Sequence, residues 1–191
     1  MTFRVGAPAP VKQWAVIAGM MDEEFAAAYP HVMGWIRKTL ADYRDLAVVI
    51  ASIGFQRLRL YFATELLETT KVVRLDRVPI PPLLSIGLQR FKECERGDYD
   101  GITYLDTIFT KRSRAADEEL HFRELILVQW RLIGPERFLA LYADGLDTFG
   151  YHNSPLEKMA YSAQNDDFAR GSRIFRAETL VTQQLRELSA L

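Results

Sequence analysis

The sequence predicts an α+β domain, mostly helical, with a small β-sheet. Three observations carry that prediction. Apolar residues recur at helical spacing through most of the chain, as in Val32, Trp35, Ile36 and Leu40. Two runs, 71–78 and 99–110, switch to β-branched and aromatic residues bounded by turn formers. With 191 residues of which 49% are apolar, there is material for one substantial core, so residues 1–191 are expected to form a single domain.

Taken in order, residues 1–13 carry Gly6, Pro8 and Pro10 and predict a weakly ordered arm. Residues 14–70 predict helices. Asp22, Glu23 and Glu24 form an acidic first turn, Phe25, Ala28 and Tyr29 follow on one face, and Pro30 is expected to end that helix and open the next. Residues 43–70 are expected to continue largely helical, broken near Gly54, with 46–55 as a buried helix. The run Val72, Val73, Leu75, Val78 predicts a strand stopped by Pro79, Pro81 and Pro82. Residues 83–95 predict a short helix ended at Gly97, and residues 99–110, which contain GITYLDTIFT, predict one second strand. Residues 111–191 predict helices at 118–133, after Gly134 and Pro135, at 154–168 and at 173–188.

Composition narrows the function classes. Lys and Arg total 24 against 25 for Asp and Glu, so no overall field draws the chain to nucleic acid or to an anionic membrane. The basic trio Lys111, Arg112 and Arg114 lacks interleaved aromatics and reads as a solvated turn. No apolar stretch approaches the roughly 20 residues that span a bilayer. A single cysteine, Cys94, and an N-terminus without the layout of a secretion signal point to a cytoplasmic protein. The serines stand in no Gly-x-Ser-x-Gly setting and Cys94 has no neighbouring histidine, which leaves nucleophilic catalysis without support. His31 has no companion at metal-ligand spacing.

The most informative stretch is 117–161. Its first helix contains Arg123, Glu124, Leu125, Ile126, Leu127, and its second opens with Asn153, Ser154, Pro155, Leu156, Glu157. In the order ITYLDTIFTK, LHFRELILVQW, LIGPERFLALY, GYHNSPLEKMAY, residues 70–168 resemble small gluzincin-type zinc metallopeptidases, and in particular a group of uncharacterised bacterial proteins of that sort. In such proteins one helix carries His-Glu-x-x-His and the next supplies a glutamate ligand. The resemblance places Arg123 at the first ligand position, Glu124 at the general base, Leu127 at the second ligand position and Glu157 at the third. Two histidines four apart share a helix face and can hold one Zn²⁺, whose bound water the glutamate polarises. Arginine keeps its proton and has no lone pair to give, and leucine has no donor atom. One surviving carboxylate does not hold zinc. The expectation is therefore a zincin-like protein that binds no metal, with Glu124 a vestigial base and Arg123, Leu127 and Glu157 vestigial ligand positions.

His121 lies two residues before Arg123, about 200° around the helix, and cannot take over the lost position. Glu157 also fits a capping box opened by Ser154, with proline at the first helical position. If the fold is retained, Arg123 and Glu157 face one cavity and the guanidinium replaces the metal's charge. Tyr104, His121, Tyr151, His152 and Tyr161 are the candidate residues lining that cleft. The resemblance further implies that the edge strand within 99–110 would hold an extended peptide or protein segment by strand addition. The rival expectation is a metal-dependent hydrolase, a peptidase holding zinc through non-standard ligands such as His121, His152, Glu124 and Glu157.

Overall fold

The computed structural model describes residues 23–126, 129–171 and 173–189. The expected arm at 1–13, Trp14 and Leu127 lie outside the described residues. The fold is α+β and mostly helical. Helix α1 spans Glu23–Asp42, and α2 and α3 span Leu58–Tyr61 and Thr64–Thr69. After them come α4, Lys92–Arg96, α5, Glu118–Ile126, and α6, Gln129–Ile133. Helices α7, Pro135–Phe149, α8, Pro155–Ser162, and α9, Ala177–Ser189, complete the set, with a π-helical turn, Ala163–Phe168, extending α8. Strands β1 (Val48–Val49), β2 (Lys71–Leu75), β3 (Gly101–Tyr104) and β4 (Thr107–Lys111) form one mixed sheet in the order β1-β2-β4-β3. Strands β2 and β4 are parallel, with Val72 opposite Ile108, while β1 and β3 pair antiparallel to their neighbours.

Several elements differ from expectation, each for a local reason. Helix α1 runs through Pro30. Proline costs a helix interior about 3 kcal/mol, but Phe25, Ala28, Val32, Met33 and Ile36 form one buried stripe across it. Each large apolar side chain in such a stripe contributes about 1.5–3 kcal/mol, which outweighs the lost bond. Residues 46–55 are not a buried helix: Leu46 is 58% exposed, and Val48 and Val49 pair with Val72 and Lys71. The β-branched run there favours extended backbone, and the Ile50 amide donates to the Thr70 carbonyl. Residues 83–95 form turns around Gly87 at φ +95° before α4 begins, in place of one helix.

The predicted strand 99–110 is a hairpin, reversed at Leu105 and Asp106. Leu105 takes φ +54°, and no glycine or Asn-Gly pair announces the turn. The consequence is positional. Strand β4 is interior, with Ile108, Phe109 and Thr110 wholly buried, and of the two hairpin strands it is β3 that lies at an edge of the sheet, β1 lying at the other. The basic trio after it is tied to carboxylates: Lys111 to Asp98 and Asp100, Arg112 to Asp76, Arg114 to Asp100 and Asp117.

Helix α5 packs against β3 and β4 and is enclosed on most sides, with Leu120, His121, Phe122, Glu124, Leu125 and Ile126 buried. Phe122 stacks on Phe168 at 4.3 Å and meets Tyr61 and Phe62 at 5.3 Å each, joining α2, α5 and the π-helical turn. Carboxylates tie distant backbone into this arrangement. Glu118 accepts from the amides of Arg57 and Leu58, and Glu178 accepts from that of Ala63. Among the described residues no helix is long and apolar enough to cross a membrane.

Candidate functional site

The start of α5 is fixed by Asp117, whose Oδ1 accepts from the Leu120 amide at 3.0 Å. One helical turn further on, Glu124 points at the sheet. Residues 101 and 103 share one face of β3, as alternate residues of a strand must, and that face lies against Glu124. The Thr103 hydroxyl donates to Glu124 Oε2 at 2.8 Å. Gly101 permits the approach, since a Cβ there would stand 3.1 Å from both Glu124 Oε1 and Leu120 Cδ1. Glu124 is 2% exposed, and burial raises its pKa against the lowering effect of Arg123 and Thr103.

Arg123 is held by three groups. Its guanidinium is 3.4 Å from Glu124 Oε1, donates to Gln164 Oε1 at 3.3 Å and lies 4.7 Å over the Tyr161 ring. Burial opposes its charge, but Glu124, Tyr161, Tyr151 and Glu157 together raise its pKa.

Glu157 enters from α8, also 2% exposed. The Tyr142 hydroxyl on α7 donates to its Oε1 at 2.7 Å. Its Oε2 is buried without a hydrogen-bond donor, although Tyr151 approaches the carboxyl closely enough to favour its charged form. Burial is the main cause of a pKa raised to about 7, with the Glu124 carboxyl adding to it and Tyr142, Arg123 and Tyr151 opposing. Burial likewise pushes the Tyr142 and Tyr151 hydroxyls up, and Tyr99 to about 12. The expected capping box is not formed. Ser154 makes no side-chain cap, its own amide donates to Gly150, and its Oγ is buried without a partner. Ser154 instead presses on α7, where a Cβ at Gly145 would stand 2.7 Å from its Oγ.

Glu124 and Glu157 both contribute to the wall of a cavity of about 140 Å³. Its surroundings are otherwise mainly apolar: Phe25 and Ile36 from α1, Leu88, Ile102 from β3, and Phe138 and Leu146 from α7. Thr103, Tyr99, Tyr104, Tyr142, Tyr151 and Cys94 add the remaining polar atoms. Arg123 itself is not in the cavity wall and, against expectation, makes no direct pair with Glu157: its guanidinium turns to Glu124, Gln164 and Tyr161, and its charge reaches Glu157 only at longer range.

The cleft-lining candidates divide. Tyr151 and Tyr104 line the cavity, Tyr104 with its hydroxyl spent on the Pro79 carbonyl. Tyr161 holds the far side of Arg123 and is not in the cavity wall. His121 is also outside it. Its ring packs on Phe55 at 4.7 Å with Nδ1 2.7 Å from the Asp117 carbonyl, and burial lowers its pKa. The angular offset from Arg123 along α5 accounts for this. His152 belongs to the turn Tyr151–Asn153, and its side chain and Leu127 lie outside the described residues. Sequence reading missed Gly101 and Thr103, although their i, i+2 spacing in a strand could have paired them. It also missed Tyr142 and Gln164, whose roles depend on helix placement.

The donor set does not fit zinc. Arg123 offers no lone pair, and among the described residues no group of three or more His, Cys, Asp or Glu is placed to hold a metal ion. Comparison with family models, with curated proteins and with solved structures gives no match.

Proposed function

We propose that the chain is a zincin-like scaffold whose metal site has been replaced by Arg123, and that it binds a ligand in the remaining cleft rather than hydrolysing one. The observation that carries this reading is the grouping of Arg123 with Glu124 and Glu157 beside the edge strand β3. The guanidinium places one positive charge beside two buried carboxyls, in contact with Glu124, from the position where the resemblance puts a zinc ligand. A general base at Glu124 has no metal-bound water to act on, and its carboxyl is occupied by Thr103 and Arg123. Among the described residues no strand pairs with the outer edge of β3, which suits strand addition by an extended peptide or protein segment.

The test restores the ligands. The double variant Arg123→His, Leu127→His is expected to take up one zinc per chain by elemental analysis, and the parent chain none when prepared without chelators. A double variant that keeps the parent's circular dichroism and thermal transition but takes up no zinc would overturn the assigned register. Stoichiometric zinc in the parent would return the chain to the metallohydrolases.

A further inference from the structure

The cavity has an imbalance of charge that the protein itself does not resolve. Two carboxyls, Glu124 and Glu157, meet one guanidinium. Glu124 is satisfied on both oxygens, by Thr103 on one and Arg123 on the other. Glu157 accepts from Tyr142 on Oε1, and its Oε2 is enclosed by protein with Tyr151 nearby but no partner at hydrogen-bond geometry. A buried carboxylate oxygen without a donor is costly and rare in folded proteins. The groups facing it are Arg123 and Glu124 from α5, Tyr142 from α7, and Tyr151 and Tyr99. None of these brings a second full positive charge. The missing element is one cationic donor.

The rest of the cavity describes what would carry that donor. A cavity of about 150 Å³ lined by Leu, Ile and Phe accepts benzene; this one is of similar volume, and away from its two carboxyls, its Thr and Tyr hydroxyls and the Cys94 thiol it is lined by the same kinds of apolar side chain. A hydrated metal ion would find few oxygen ligands here and much apolar surface. An ammonium on a compact apolar body satisfies both halves.

We propose that the cavity binds a small apolar monoamine, its ammonium donating to Glu157 and its benzene-sized body lying among Phe25, Ile36, Leu88, Ile102, Phe138 and Leu146. This names the ligand class for the cleft and rests on the reading of that cleft as a binding site. The bound ammonium replaces the proton that otherwise neutralises Glu157. Affinity therefore rises with pH until Glu157 is ionised, and at pH 5 it is about a hundredfold weaker than at pH 8.

The experiment is calorimetric titration of the full chain with benzylamine and with benzyl alcohol, at pH 5 and pH 8. The expected result is 1:1 binding of benzylamine at pH 8, at least tenfold tighter than benzyl alcohol. Binding is expected to weaken at pH 5 and to fall at least tenfold in Glu157→Gln. Leu146→Trp, which fills the apolar end, should abolish binding of both compounds. Equal affinity for amine and alcohol would overturn the amine class while leaving a binding cavity in place. Unchanged amine affinity in Glu157→Gln would overturn the assignment to this carboxyl, and absence of binding by either compound would overturn the inference altogether. Zinc uptake by the double variant above is read independently, so failure here is distinguishable from failure of the scaffold reading.

Discussion

Replacing Glu157 with glutamine separates the electrostatic cost of the buried carboxyl from its packing. Glutamine has nearly the shape of a protonated glutamate and still accepts from Tyr142. The folded protein holds the Glu157 proton to about pH 7, against an ordinary value of 4.5 in the unfolded chain. Between those values the native state binds more protons than the unfolded state, so stability falls as pH rises. A displacement of about 2.5 units at 1.36 kcal/mol per unit amounts to roughly 3 kcal/mol, lost progressively from about pH 4.5 and fully absent above about pH 7. Glu157→Gln is expected to match the parent within about 1 kcal/mol at pH 4.5 and to exceed it by about 3 kcal/mol at pH 8.5. His121, whose pKa is lowered, acts on both proteins and cancels in the difference, whereas Glu124 is coupled to Glu157 and should ionise more readily in the variant. Urea denaturation at pH 4.5, 7 and 8.5 measures it, with the slope against urea checked for constancy. Identical pH dependence in parent and variant would refute the argument that Glu157 is a destabilised, proton-holding carboxyl.

Two neighbours give further tests. Tyr142→Phe deletes the hydroxyl that favours the charged carboxyl, so the Glu157 midpoint should move up by about one unit, followed by carboxyl NMR or by the pH at which stability declines. Thr103→Val conserves shape but leaves Glu124 with Arg123 alone, and urea denaturation at neutral pH should show a loss of about 1–3 kcal/mol.

The legible parts of the fold were those with long, strongly patterned signals. The stripe of α1, the β-branched run of β2 and the Gly134-Pro135 start of α7 follow from side-chain period and turn chemistry alone. What escaped depended on partners distant in sequence. Val48 and Val49 become a strand only because Val72 and Lys71 arrive beside them, and Pro30 is tolerated only because both halves of α1 bury one stripe. The turn at Leu105 is hidden because leucine rarely adopts positive φ. In the site, the order of segments led to the expectation that Arg123 and Glu157 face one cavity; Glu157 lines it, but Arg123 lies outside its wall and pairs with Glu124, its neighbour on the same helix. Glu157 turning to Tyr142 instead of back toward Ser154 was not anticipated, since two helices decide it.

The seat between Gly145 and Ser154 constrains how the cavity can respond to an occupant. With no room for even a methyl group there, α7 and the beginning of α8 are keyed together, and the phenol of Tyr142 and the carboxyl of Glu157 travel as one jaw. In the proposed complex, guests of different girth would be accommodated elsewhere in the lining, at side chains such as Phe25, Ile36 and Leu88. Selectivity would be sharp at the charged end and tolerant at the greasy one.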